Sequence, residues 1–360
     1  MNESGDKRMR KKIGFVAIGQ AGGNIGKLFE EKGFNVLYLN TSKEDLQTLK
    51  NAKYIYHITG GEGCNKDRTK AKKLVIEDFD NISREIYEKM DVSMMYVIFA
   101  SGGGTGSGCG PMLIDLLLDD ISGDSSSITS VGAITIIPGE NESIKAQINS
   151  YECFEELMGI ENIAGTMIID NSKGDKLELN RQLVKTFYNF INIPNIHKDE
   201  RGNIDRAEVE ETLRARGMLL VTEIPAKECS TAAVLESFRK SVFAPMEPDR
   251  VIKYMAISIA GNVDVDAMRK EIGIPIDIFS TYNEKSTICC LSGLNYPKTR
   301  LDSVYNKAVE YQELVLKNLQ ATSENGMKKG VNFLETASRQ TAEQATGKPS
   351  RRDLMKKYMR

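Results

Sequence analysis

Short apolar runs alternate with segments of helical apolar spacing through the first half of the chain. Ile13–Ile18 reads as a buried strand, followed by a glycine turn and a helix from about Ile25 to Lys32. Asn35–Leu39 and Lys53–Ile58 predict the second and third strands. A helix with Leu74, Ile82 and Ile86 on one face leads to the run Met94–Ala100. A second glycine turn then precedes a helix at Met112–Ile121, a strand at Ser130–Ile137, a helix at Asn149–Met158 and a strand at Gly165–Ile169. Short β-rich runs separated by helices predict a parallel sheet covered on both faces.

Leu179, Leu183, Phe187, Phe190 and Ile191 recur at helical spacing within Leu177–Ile191. The polar stretch Asn192–Asn203 interrupts the pattern, and a helix runs from near Asp205 to about Arg216. The second half has strand-like runs at Gly217–Thr222, Val251–Ala260, Pro275–Tyr282 and Ser286–Leu294, with helices at Thr231–Val242 and Val265–Glu271. That pattern predicts a smaller α/β domain with a four-stranded sheet, closed by a long amphipathic helix at about Lys298–Leu319. No internal repeat is visible.

Composition adds limits. With 360 residues, 41% hydrophobic and 27% charged, the chain can build a large core without staples. Its six cysteines form no CxxC pair and only two histidines occur, which argues against a zinc site and suits a reducing cytosol. Cys289 and Cys290 lie in the apolar run STICCLSGL and are expected to be strand residues without a redox role. No apolar run is long enough to span a bilayer and the basic N-terminus lacks a signal-peptide core, so a cytoplasmic protein without membrane attachment is expected. The net charge is −2, but residues 328–360 carry nine Lys/Arg against three Asp/Glu, a tail of +6 on a body of −8. A basic tail on an acidic body invites contact with DNA, a membrane or a neighbouring body.

Two glycine turns carry the candidate chemistry. Gly19-Gln20-Ala21-Gly22-Gly23-Asn24 and Gly102-Gly103-Gly104-Thr105-Gly106-Ser107-Gly108 each follow a buried strand and open a helix. Glycine lets the backbone approach an anion, and the free amides and dipole of a helix N-terminus favour negative charge. Pro111 is expected in the first helical turn. The chain contains no GxxxxGK[ST], and the spacing fails GxGxxG.

GGGTGSG at 102–108 and GQAGGN at 19–24 resemble the nucleotide loops of the tubulin/FtsZ superfamily. The resemblance implies a GTP/GDP site in a Rossmann-like parallel-sheet domain (1–175). A central helix and catalytic loop (176–216), a C-terminal α/β domain (217–297), a C-terminal helix (298–325) and a basic flexible tail (326–360) would follow. It implies that Gln20, Ala21 and the amides of 102–108 hold the phosphates, with Thr105 and Gly106 nearest. Mg²⁺ would travel with the nucleotide rather than in a protein cage. Asn40-Thr41-Ser42 resembles the loop after the second strand, and Gly61-Glu62-Gly63-Cys64-Asn65 the loop that senses the terminal phosphate. Pro138-Gly139-Glu140-Asn141-Glu142 resembles the ribose loop, with Glu142 as its carboxylate. Asn171 and Asn180 match the guanine contacts. The aromatic that normally stacks on the base is not found, and Lys176 and Leu177 occupy its approximate place.

Gly202-Asn203-Ile204-Asp205-Arg206-Ala207-Glu208 carries N-x-D-x-x-E at a helix start. Taken alone, this is a capped N-terminus with acidic residues in the first turn. In its position after the central helix it resembles the family's catalytic loop, which implies that Asn203, Asp205 and Glu208 act on the next subunit's nucleotide. The preceding stretch INIPNIHKDERGNID looks longer than in FtsZ.

A short chain ending in a basic tail most resembles the plasmid- and phage-encoded TubZ group. That implies self-assembly into filaments and a DNA-bound adaptor contacting the tail, without sequence-specific DNA binding by the chain itself. A division filament protein like FtsZ, or a non-polymerising nucleotide-binding enzyme, are the alternatives. Leu354, Met355 and Tyr358 would share a face if the tail end were helical.

Overall fold

The computed structural model describes residues 9–121, 127–197, 199–248, 251–324 and Tyr358. The tail expected at 326–360 therefore lies outside the described residues except for Tyr358.

Among the described residues, ten strands form one sheet. β1 (Ile13–Ile18), β2 (Asn35–Asn40), β3 (Tyr54–His57), β4 (Met94–Ala100), β5 (Ser130–Ile137) and β6 (Gly165–Asp170) run parallel in the order 3-2-1-4-5-6. Every residue of β1, β5 and β6 is buried, as parallel strands covered on both faces must be. The chain leaves β1 towards β2 and β3, then returns to lay β4 on the other side of β1. This reversal opens a crevice beyond the carboxyl ends of β1 and β4, the position where open α/β sheets take ligands.

Both glycine turns run directly into helices at that crevice. α1 (Gly19–Glu31) starts at the first glycine, followed by α2 (Lys43–Gln47), α3 (Arg68–Lys89), α4 (Thr105–Ile121) and α5 (Ile144–Met158). α1, α4 and α5 start earlier than the apolar pattern indicates. Glycine is a poor helix former, so the starts of α1 and α4 read as turns, yet they form the first helical turns; α5 starts instead at the Ser143 cap, whose side chain accepts the Ala146 amide. Pro111 consequently lies well inside α4 rather than in its first turn. Its missing N–H frees the Ser107 carbonyl, which accepts instead from Arg68 Nη2 at 3.2 Å.

The central helix α6 (Lys176–Ile191) packs against α1 through an aromatic cluster. Phe15 stacks on Phe29 at 3.9 Å, and Phe187 meets Phe29 edge-on at 5.5 Å. A single turn, α7 (Ile193–Ile196), interrupts the stretch expected to be irregular, and α8 (Arg206–Arg214) follows.

β7 (Gly217–Pro225), β8 (Tyr254–Ile259), β9 (Asp277–Tyr282) and β10 (Ser286–Leu294) form the expected four strands, in the order 7-10-8-9. They do not form a separate sheet. β7 pairs with β6 through Gly165↔Gly217 and Thr166↔Met218 before the two strands part. α9 (Thr231–Lys240) and α10 (Val265–Ile272) pack on each other, and α11 (Lys298–Glu324) lies along α5. All six cysteines are buried and free. Burial pushes the Cys289 and Cys290 thiols up, which keeps them protonated and unreactive.

Candidate nucleotide site

The two glycine loops meet at the crevice. Gly19 has φ +71°, and a Cβ there would lie 3.6 Å from the Gly106 amide. The predicted glycines divide into two kinds. A Cβ on Gly22 would come within 2.4 Å of the Ile98 carbonyl, and one on Gly108 within 2.6 Å of the Arg68 carbonyl. Those two positions serve helix packing. Gly102 and Gly106 are tight as well, whereas a Cβ on Gly103 would meet nothing closer than the Ala100 carbonyl at 3.7 Å. Gly103 is thus the least crowded glycine of this loop, and open space beside the backbone is what an approaching anion requires. Ser107 turns inward instead, its hydroxyl donating to the Gly103 carbonyl.

Thr41 joins three loops. Its hydroxyl lies 2.8 Å from that of Thr105 and 3.3 Å from the Cys64 thiol, and its carbonyl accepts the Gly63 amide at 2.9 Å. The loop after β2 is thus fixed to both the 61–65 loop and the second glycine loop. Gly61 packs on the Thr41 backbone, where a Cβ would clash at 2.6 Å. Asn40 is buried, bonding the Asp45 carboxylate and the Ser42 amide. Gln20 and Asn24 line a narrow recess beside it, and Ala21 is half-buried.

Asn65 and Lys66 both adopt positive φ, at 43° and 60°, an uncommon conformation for two consecutive non-glycine residues. It brings the Lys66 amide against Gly104, where a Cβ would approach within 2.7 Å. Asn149, buried in α5, donates to both the Lys66 and Gly103 carbonyls, at 3.0 and 2.8 Å. We expect Gly104→Ala to displace backbone on both sides and lower stability by about 1–3 kcal/mol, measured by urea denaturation.

Glu142 of the expected ribose loop and Asn171 also come together. Glu142 Oε1 accepts from the Gly139 amide at 2.9 Å, from Asn171 Nδ2 at 3.0 Å and from Lys176 Nζ at 2.9 Å. Burial alone would raise its pKa, but the Gly139 amide, Lys176 and Asn171 outweigh it and hold the carboxyl below the ordinary value. Lys176, at the place of the missing aromatic, is thus an ion-pair partner of this carboxylate. Leu177 is exposed, and Asn180 is buried one turn further along α6.

Arg300 of α11 carries no mark in the sequence that singles it out. Its guanidinium forks onto Asp170 at 2.8 and 3.1 Å and donates to the Pro138 carbonyl at 2.9 Å. One buried cation therefore fixes both the start of the ribose loop and the residue before Asn171. Nothing in the local sequence signals this pairing across 130 positions.

Asn203, Asp205 and Glu208 lie elsewhere. Asp205 caps α8, accepting the Glu208 amide at 3.0 Å, while Glu208 Oε2 accepts the Asp205 amide at 2.7 Å. This is a full capping box, with Asn203 and Asp205 exposed and Glu208 half-exposed. Asp205→Ala should cost about 0.5–2 kcal/mol of stability, seen as a lower urea midpoint. The far end of α8 is tied to the amino ends of the strands. Glu210 pairs with Lys12, Arg214 donates to Thr129 at 3.0 Å, and the Leu213 carbonyl accepts the Tyr96 hydroxyl at 3.2 Å. The glycine loops occupy the carboxyl edge of the sheet and α8 is tied to the amino edge, with α6 (roughly 24 Å of helix) running between. Within one chain the two sets of residues are not brought together.

A model of the tubulin/FtsZ family GTPase domain matches residues 12–176. The tubulin-like protein TubZ of Clostridium botulinum C phage is 31% identical over 324 residues, covering 88% of each chain. The chain belongs to the tubulin/FtsZ family, as a homologue of TubZ. The crystal structure of Clostridium botulinum phage c-st TubZ superposes with a TM-score of 0.76 at 28% identity, over 84% of this chain and 99% of that one. A GTPγS-form protofilament structure of Bacillus thuringiensis serovar israelensis TubZ shares the fold, with a TM-score of 0.70 at 16% identity over 87% of this chain and 94% of that one. As a family member the chain is a GTPase. The matched segment holds both glycine loops, the 61–65 loop, the ribose loop and Asn171, while Asp205 and Glu208 fall outside it. Among the described residues, no helix is long and apolar enough to cross a membrane.

Proposed function

We propose that this GTPase polymerises head to tail into dynamic filaments and hydrolyses GTP at each junction, to move plasmid or phage DNA through a DNA-bound adaptor. The carrying observation is that the glycine loops occupy the carboxyl edge of the sheet, while the helix that Asp205 caps is tied through Glu210, Leu213 and Arg214 to the amino edge. Stacking one subunit's amino edge on the next one's carboxyl edge closes the site.

The crevice fits a nucleotide. Gly103 leaves room for a phosphate, with Thr105 and Gly106 following it at the start of α4 and Gln20 and Ala21 following Gly19, which meets Gly106. Pro138, Glu142, Asn171 and Asn180 line the approach of ribose and base. Bound Mg²⁺ would neutralise phosphate charge, held by phosphate oxygens and water. Phosphoryl transfer to water needs an aligned nucleophile and charge stabilisation more than covalent help. Asp205 and Glu208, facing the neighbour's terminal phosphate, orient that water, and Asn203 completes the loop. The basic tail supplies the contact for the adaptor. The protofilament formed by the Bacillus thuringiensis relative supports self-assembly.

Gly103→Ala separates binding from folding. The added methyl has space in the protein, so stability should hold within about 0.5 kcal/mol. GTP affinity should fall at least about tenfold, measured by calorimetry. Sedimentation with GTP or GDP, followed by electron microscopy of the pellet, tests the filament. GTP-dependent polymers are expected, and a chain that stays monomeric with bound GTP contradicts the proposal.

A further inference from the structure

The flank of the GTPase domain holds an aromatic seat that the nucleotide site does not use. Tyr358, near the C-terminal end of the sequence, is buried there to 5% exposure. Its hydroxyl bonds the Asp115 carboxylate of α4 at 3.0 Å, and Lys72 of α3 places Nζ 5.2 Å from the ring centroid. Glu156 of α5 pairs with Lys72, closing the seat from a third helix.

We propose that this flank is a docking seat for the chain's own C-terminal segment, anchored by Tyr358. Three observations support that occupant. The anchor belongs to this chain and joins the hydrophobic core rather than lying on the surface. The sequences are complementary in charge: the helices of the seat carry Asp115, Asp119 and Asp120 on α4 and Glu155 on α5, and the sequence around Tyr358 carries Arg351, Arg352, Lys356, Lys357 and Arg360. The 34 positions from Glu324 to Tyr358 reach about 110 Å when extended, ample to return to the same subunit.

The seat adjoins the nucleotide loops. Arg68 and Lys72 lie one turn apart on α3 and both bond Glu156. Arg68 also bonds Glu152 at 2.7 Å and the Ser107 carbonyl at 3.2 Å, within the first turns of α4. Seating the tyrosine clamps together the three helices that carry the 61–65, 102–108 and ribose loops. It also holds the basic segment against its own body until something displaces it.

The sequence contains no tryptophan, so Tyr358→Trp in the full chain places a single indole at the anchor. The measurement is acrylamide quenching with GDP, at concentrations where sedimentation shows monomer. Docking predicts blue-shifted emission quenched several-fold less than in urea, and exposure of the indole when Asp115→Arg is added. Because an indole is larger than a phenol, hydrogen exchange on Tyr358→Ala and Tyr358→Phe accompanies it. The alanine should speed exchange at 68–75 and 112–117 several-fold, and the phenylalanine less. An indole as exposed as in urea, together with unchanged exchange in Tyr358→Ala, overturns the proposal. So does shielding that appears only as concentration rises, which would place the segment on a neighbour.

Discussion

Glu208→Gln is expected to leave GTP-dependent assembly intact while lowering GTP turnover by about two to four orders of magnitude, the range of a positioned acid–base group. Glutamine serves in a capping box as glutamate does, so the bond from Oε2 to the Asp205 amide keeps a counterpart and α8 keeps its start. Only the charge proposed to face the neighbour's nucleotide is removed. Asp205→Asn preserves the cap in the same way and should also slow hydrolysis. Alanine at either position would mix a folding defect with the catalytic one. Phosphate release and pelleting, measured on the same samples, separate the two effects. If Glu208→Gln turned over GTP at the wild-type rate, the capping box would be the whole role of these carboxylates.

Arg300→Ala is expected to destabilise the fold by about 3–5 kcal/mol, the cost of leaving one partner of a buried pair alone. Asp170 is 2% exposed and the Arg300 side chain 10%, so water cannot replace the lost partner. The Pro138 carbonyl loses its donor as well, and GTP affinity should fall with stability because the ribose loop and the backbone entering Asn171 both loosen. Burial acts to raise the Asp170 pKa, but Arg300 and the Ser172 bonds outweigh it and the net shift is downward. The stability from this pair is therefore complete above the unfolded carboxylate value, about 3.9. It disappears as pH falls through the lowered folded value. Urea midpoints of wild type and Arg300→Ala should lie far apart at neutral pH and converge on acidification. A gap that stayed constant with pH would assign the loss to packing alone.

Much of the fold was legible because parallel strands are marked by what they bury. Ile13–Ile18, Met94–Ala100 and Ser130–Ile137 have the bounds that their apolar runs indicate. The glycine loops were legible because six glycines in nine positions exceed what a turn needs. The starts of α1 and α4 were harder to place, since glycine argues against helix locally, yet both glycine turns run into the first helical turns. The sheet's continuity was invisible, because two short pairings at Gly217 leave no pattern in sequence. Arg68 and Arg300 were missed for a related reason. A buried arginine reads as a surface one until the carbonyl freed by Pro111, or the carboxylate of Asp170, is seen beside it. The motif NxDxxE pointed to the same residues for two roles at once, capping box and candidate catalytic loop. Only the tie of their helix to the amino edge of the sheet favours the second role being played in trans.

GTP turnover per subunit, followed against protein concentration with light scattering recorded in parallel, tests the split site most directly. A site completed by a neighbour predicts almost no turnover below a threshold concentration and a steep rise above it, coincident with scattering and lost in Glu208→Gln. Turnover per subunit that stayed constant on dilution through that threshold would show that one chain holds a complete active site, and would contradict hydrolysis between subunits.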